Sequence, residues 1–376
     1  MHYKPDWDQA KKRLELFWSD ERGIVDRCCM AVFAPRKTSR EPPFPELQWG
    51  PWLGGLEKFA DDDAENIGKW WTDPEQNYRR MLHWFENTYF GGEAVPCTYT
   101  NWGASALAGF YGSPVAFTRQ SVWFKECIGD WKTWEWKFSR AENVYYRQTR
   151  AIVEKLVAEC GGRYFVGIPE FGDAADVLSL MRGMDNLSMD LYDCGDEVKR
   201  AVEVLSDSWI DLHEEFFRLV SPCNDGGGVL AWMSLWAPGR HTQVACDFAS
   251  VLSPGMFGEF FVPEVKKLLS WCEYGTFHLD GPDCMRNHLD ALLAIQDVDN
   301  IEWTPGAGSP PTFYEPYIPR YKSILEAGKR LYLLTRPDEV KPILDNLPAG
   351  GLFLCTWADS EDAADRMLDD AARWSR

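Results

Sequence analysis

Apolar residues recur along this chain in two alternating rhythms. Residues 6 to 18 place Trp7, Ala10, Leu14 and Phe17 at helical spacing, which predicts an amphipathic helix lying on a core. The next apolar run, "RCCMAVFAP" (27–35), is short and continuous like a buried strand, and ends at Pro35 and Arg36. Residues 37 to 90 are then rich in Pro, Gly and Trp over their first half, and an irregular insertion is expected there.

Seven further runs repeat the strand rhythm: "AVPCTYTNWG", "YFVGIPEFGD", "GGVLAWMSLW", "YGTFHLDG", "VDNIEWTPG", "KRLYLLTR" and "GGLFLCTW". Helical patterns follow several of them, as "CMRNHLDALLAI" follows "YGTFHLDG" and "SEDAADRMLDDAARW" follows the last. Strands alternating with helices imply a parallel sheet covered on both faces. With the first run included there are eight strands, the number that a (β/α)8 TIM barrel needs. A doubly wound open sheet is the competing architecture, but it calls for a Gly-rich turn after the first strand. Pro35 and Arg36 occupy that place. "DGGGVL" precedes its strand instead of following it, so it reads as a tight turn. A single TIM-barrel domain over 1–376 is therefore expected, with an N-terminal helix in 1–27 and the insertion at 37–90.

Composition narrows the function classes. No apolar run approaches the roughly 18 residues of a membrane span. The N-terminal stretch lacks the basic, apolar, small-residue order of a secretory signal, so a cytoplasmic enzyme is expected. Eleven cysteines without a CxxC pair fit reduced thiols better than a disulfide framework. A formal charge of −19 would repel a phosphate backbone, and no basic run offsets it, which argues against nucleic acid as a partner. No HExxH or G-x-S-x-G is present, so zincin and α/β-hydrolase chemistry has no support.

In a barrel the chemistry gathers where strands end and βα loops begin. That rule nominates Arg36, Glu170, Asp173, Trp236, His241, Asp247, His278, Asp280, Glu302 and Cys355. His278 and Asp280 alternate on one strand, so both side chains face one way. With Glu302 and Cys355 they are types that bind zinc. The plain alternative is that His278 is a hydrogen-bonded wall residue and Cys355 a small core hydrophobe. His83 and His213 lie in helical patterns and read as outer-ring residues, and Cys28 and Cys29 as first-strand core. The tryptophans concentrate early, 12 of 19 before residue 140, and either pack irregular loops or cap the barrel mouth.

"CDFASVLSPGMFGEFFVPEVKKLL", "HLDGPDCMRNHLDALLAI", "VDNIEWTPGAG" and the late "GGLFLCT" resemble the uroporphyrinogen decarboxylase superfamily, most clearly over about 160–370. Its methyltransferase branch carries an H-x-C-G motif after the fifth strand, an acidic residue on the strand that follows, and a Cys in the last strand's loop. His278, Glu302 and Cys355 match these places, with Asp280 where the first Cys would be. A carboxylate there makes the site harder and less electron-rich than a thiolate would. The decarboxylase branch uses no metal and grips an acidic tetrapyrrole with an R-Q-A-G-R motif. "APRKTSR" keeps Arg36 and Arg40 but not that motif.

The resemblance thus implies a zinc-dependent, cobalamin-linked methyltransferase. His278, Asp280, Glu302 and Cys355 would be the metal ligands, His278, Asp247 and His241 the catalytic residues, and Arg36, Arg40 and Trp236 the substrate contacts. No corrinoid-binding D-x-H-x-x-G motif is present, so methylcobalamin or another corrinoid would arrive on a partner protein. A homo-oligomer is compatible with the sequence. Two alternatives stand beside this reading: a metal-free decarboxylase with Arg36 and Arg40 as carboxylate clamps, and a non-catalytic small-molecule-binding barrel.

Overall fold

The computed structural model describes residues 1–19, 26–39, 56–100 and 102–375. Thirteen strands occur among them. In chain order they are β1 (Cys29–Pro35), β2 (Thr88–Gly92), β3 (Cys97–Thr98), β4 (Val115–Phe117), β5 (Val122–Phe124), β6 (Phe165–Val166) and β7 (Gly228–Leu230). Then come β8 (Leu235–Ala237), β9 (His241–Ala245), β10 (Tyr274–Asp280), β11 (Asn300–Thr304), β12 (Arg330–Leu334) and β13 (Leu352–Trp357).

Seven strands form the central sheet in the order β2-β1-β13-β12-β11-β10-β9. Six run parallel, from β1 through β13, β12, β11 and β10 to β9. β2 pairs antiparallel with β1 at one edge. The parallel strands are buried on both faces, as β1 and β13 show along nearly their whole length, because helices cover one side and inward side chains fill the other.

The eight-strand closure expected from sequence is not found: the sheet is an open arc. β3 and β6 pair only with each other, over two residues each. Their neighbours explain this. Pro96 and Pro169 flank the pair and lack the N–H a longer ladder needs. At Gly167 a Cβ would lie 2.7 Å from both Ala231 and the Thr98 carbonyl, so the chains touch too closely for a regular side chain. "GGVLAWMSLW" is not one strand either. It turns back at Ala231–Ser234, with Ser234 at φ 54°, and forms the antiparallel hairpin of β7 and β8. Its place beside β10 is taken by β9, which begins at His241.

The insertion also differs from expectation. Ala64–Thr72 and Pro74–Asn87 are helices, followed by β2. Their starts are encoded locally: Asp63 and Asp73 accept from the backbone N–H groups of Asn66 and Gln76, and Pro74 occupies the first turn. The N-terminal helix spans Trp7–Trp18 and buries Trp7, Ala10, Leu14, Phe17 and Trp18. Near the start of β1, the wholly buried Glu93 takes a two-pronged ion pair from Arg27 at 2.7 and 2.8 Å and also accepts from the Met30 N–H. No helix among the described residues is long and apolar enough to cross a membrane.

Candidate functional site

A cavity of about 330 Å³ opens at the C-terminal ends of β9, β10 and β11 and beside the segment that follows β6. That volume lies at the lower end of small-molecule sites. Its walls carry Glu170, Asp173, Asp176, Asp247, Asp280 and His278, with Tyr99, Trp232 and Gln243 between them. Among the described residues no Lys or Arg lines it.

His278 sits on β10 directly opposite Glu302 on β11. Parallel neighbours in register point to the same side, so the Glu302 carboxylate, wholly buried, meets the His278 Nδ1 in a short ion pair. The second Glu302 oxygen accepts from Thr304 Oγ1 at 2.8 Å. Nε2 of His278 is left toward the cavity, 3.9 Å from Asp247 Oδ1, and the Trp232 ring stands edge-on to the imidazole at 5.5 Å. Burial opposes a charge on His278, but Glu302, Asp247 and Asp280 outweigh it and push its pKa up to about 10.

Two residues on, Asp280 shares the face of His278 and ends β10. It also occupies the N-cap position of the helix Gly281–Leu293, yet its side chain makes no capping bond, so its carboxylate faces the cavity. Gly281 at φ 78° makes the sharp turn from strand to helix possible. Burial raises the Asp280 pKa, with His278 pulling the other way.

The opposite wall is a polar chain. Glu170 receives the Tyr99 hydroxyl and, at 2.8 Å, Gln243 Nε2, while Gln243 in turn accepts from Trp232 Nε1 at 2.6 Å. Asp173 accepts from the Ala245 N–H at the end of β9. Asp176, one turn along its helix, accepts from the backbone of Asp247 and Phe248 at 3.1 and 2.8 Å and so fixes the loop that presents Asp247. Burial raises all these carboxyls, Asp176 to about 7. Asp247 is raised by burial too, against the pull of His278.

Of the residues proposed from sequence, the structure brings His278, Glu302, Asp280 and Asp247 together. His241 is a correction: it starts β9, four residues below the level of His278. Its ring is buried against Trp18 and pairs with Thr276 at 3.1 Å, and burial drives its pKa down to about 3. Trp236 is another: on β8 it packs on Trp7 and donates to the Asn224 carbonyl at 2.9 Å, away from the cavity. Arg36 donates to the carbonyls of Thr88 and Tyr3 at 2.7 and 3.0 Å, tying chain segments together, and does not line the cavity. Arg40 lies outside the described residues.

Cys355 is buried in β13 and does not line the cavity; the nearby Tyr332 donates its hydroxyl to the Met233 carbonyl at 2.7 Å. Burial pushes the Cys355 thiol up to about 12. As they stand, no three His, Cys, Asp or Glu side chains among the described residues are grouped to hold a metal ion.

Tyr99, Asp176, Trp232 and Gln243 escaped the sequence reading. Asp176 carried a signal, since Asp173 and Asp176 are three apart at a helix start. The others carried none, because Trp232 lies in the hairpin turn and Gln243 in a strand that has no long apolar run. A second cavity of about 470 Å³, walled by the Pro- and Gly-rich loop 305–312, Arg336 and Trp357, meets the first at Thr304.

No family model and no curated protein matches the sequence. In fold the chain is similar to a methyltransferase from Methanosarcina mazei: TM-score 0.59 at 12% identity, over 97% of this chain and 98% of that one. At that identity the likeness is one of fold.

Proposed function

We propose that this protein is a methyltransferase-like enzyme that moves a methyl group to or from a small molecule held in the carboxylate-rich cavity. The open arc, completed by the β3–β6 pair and the β7–β8 hairpin, is read as a variant of the eight-stranded barrel, with its site at the customary end. The observation that carries the reading is His278, clamped by Glu302 on one side and presenting Nε2 to the cavity on the other.

Charge selects the substrate. Among the described residues, five carboxyl side chains and two imidazoles, those of His278 and His213, line the cavity, with no Lys or Arg. A polycarboxylate would meet repulsion there and find no clamp among the described residues, which weighs against the decarboxylase alternative. A neutral or cationic substrate suits the walls, and Trp232 and Tyr99 offer ring faces to a cation. The cavity is not plugged, and carboxylates and His278 converge on it, which also weighs against a silent binding barrel.

The same excess of negative charge fits a divalent cation, as does the donor chemistry: an imidazole nitrogen and carboxylate oxygens. His278, Asp280 and Glu302 would hold zinc once His278 and Glu302 part, and Cys355, the proposed fourth ligand, would first have to reach the cavity. Bound there, zinc would act as a Lewis acid that favours the deprotonated, nucleophilic form of an acceptor. A corrinoid supplies a reversible carbon–cobalt bond to the methyl group. It is too large for a cavity of about 330 Å³, so it would be presented at the mouth by a partner protein. A cytoplasmic setting suits the eleven free cysteines.

The chain's own residues bind, orient and move protons. In the metal-free protein Glu302 fixes the ring of His278 and favours its charged form, so that Nε2 can hold a proton for, or return it to, a substrate heteroatom; a zinc-bound His278 would be neutral and would act as a ligand instead. Asp247, set by Asp176, orients the substrate beside it, and Trp232 excludes water from the reacting face. The test is methyl transfer from free methylcobalamin to small thiols and amines, with zinc content measured on the same sample. His278→Ala should abolish turnover. Metal-independent decarboxylation of uroporphyrinogen would overturn the proposal.

A further inference from the structure

Away from the cavity, two thiols meet. Cys160 is the last residue of the helix Val144–Cys160, and Cys223 closes the turn Ser221–Cys223. Their sulfurs lie 2.7 Å apart, although 63 positions separate them in sequence. A disulfide needs about 2.05 Å, a closure within reach of small side-chain rotations. Cys28 and Cys29, the chain's adjacent pair, point to opposite sides as successive extended residues do, and Cys29 instead touches the Arg13 carbonyl at 3.6 Å. Cys160 is buried and Cys223 partly exposed, which gives a reagent access to one partner while the other waits behind it.

We infer that Cys160 and Cys223 are a reversible disulfide site, oxidised by thiol–disulfide exchange with a small disulfide such as oxidised glutathione. The Cys223 thiolate attacks one sulfur of the reagent, a mixed disulfide forms, and one glutathione thiolate leaves. The Cys160 thiolate then attacks the Cys223 sulfur and expels the second glutathione. The two cysteines lose two protons and two electrons, and the reagent is reduced to two thiols. Burial and then Cys160 push the Cys223 thiol up to about 12, so the exchange is slow at neutral pH and speeds up in alkali.

The site is coupled to the cavity wall by one side chain. Asn224 follows Cys223, and its amide clamps Val166 of β6, accepting from the N–H and donating to the carbonyl at 2.8 Å each. Four residues beyond Val166 stands Glu170. Gly161 and Gly162, both at positive φ, form the turn that ends the helix just after Cys160. Oxidation ties the helix end to the turn that carries Asn224 and stiffens β6 and the segment after it that carries Glu170.

The full chain is incubated with oxidised glutathione at pH 8 and then denatured, alkylated and analysed by peptide mass spectrometry. The expected result is a fall from eleven free thiols to nine, a peptide linked through Cys160 and Cys223, and full reversal by dithiothreitol. In Cys223→Ser the linked peptide is absent and Cys160 stays unmodified. Glutathione that remains on Cys223 while Cys160 stays free overturns the inference, as does a linkage between any other pair. Amide hydrogen exchange over 165–171 should slow several-fold on oxidation of the wild type and not of Cys223→Ser. Equal exchange in both redox states overturns the coupling to the cavity.

Discussion

Glu302 lies opposite His278 in the β10–β11 register, and its buried carboxylate holds the Nδ1 side of the ring. The imidazole is thereby kept charged far above its ordinary range, with a pKa near 10. Stability from a raised histidine is complete below its unfolded pKa of about 6.5 and is lost as pH climbs toward 10. Metal-free wild type should therefore lose stability between pH 6.5 and 10. Glu302→Gln should flatten that decline, cost about 3 kcal/mol at pH 6, and return the His278 titration toward neutrality. Urea unfolding across pH and histidine NMR read both effects; a His278 that titrates near 6.5 in the wild type refutes the pairing.

Glu264 is buried on the helix Val262–Leu269 and accepts from the N–H of Ala174, at the start of the helix bearing Asp176. Burial, partly countered by that bond, pushes its pKa up to about 8. A carboxyl raised in the folded state favours folding only while protonated, so its contribution declines as pH rises from about 4.5 to 8. Glu264→Gln keeps the acceptor oxygen and removes the charge. It should be more stable than wild type by ~1–3 kcal/mol at pH 8.5 and close to it at pH 4.5, as measured by denaturant midpoints.

Arg36 holds two carbonyls and no cavity wall. Arg36→Ala should cost ~1–3 kcal/mol of stability and leave substrate KM within about twofold, since a factor of two is well under 1 kcal/mol. A large rise in KM with stability intact would restore the carboxylate-clamp role.

Asp280 offers a hard oxygen where a soft sulfur would bind zinc better. Asp280→Cys should tighten zinc binding by about tenfold or more, read by competition with a chromophoric chelator. If zinc affinity is unchanged or weaker, Asp280 contacts substrate instead.

What sequence alone determined was local. The period-two and period-3.6 patterns fixed β1, β10 to β13 and the helices between them, because a continuous apolar run or a helical stripe has one low-energy use once a core exists. Cap residues such as Asp73 with Pro74 encode helix starts locally, but the reading of 37–90 as an irregular insertion passed over them. The alternation of His278 and Asp280 put both on one face before any fold was known. Tertiary structure decided the rest. Register set Glu302 against His278, and the hairpin at Ala231–Ser234 removed Trp236 from the site and moved the sheet position to β9. Burial made His241 a neutral wall residue while the same chemistry at His278 became a held charge. Residue type fixes which groups can ionise or bind, but the neighbours that decide whether they do are tens of positions away in sequence, as Glu302 is 24 from His278, and only packing brings them within a hydrogen bond.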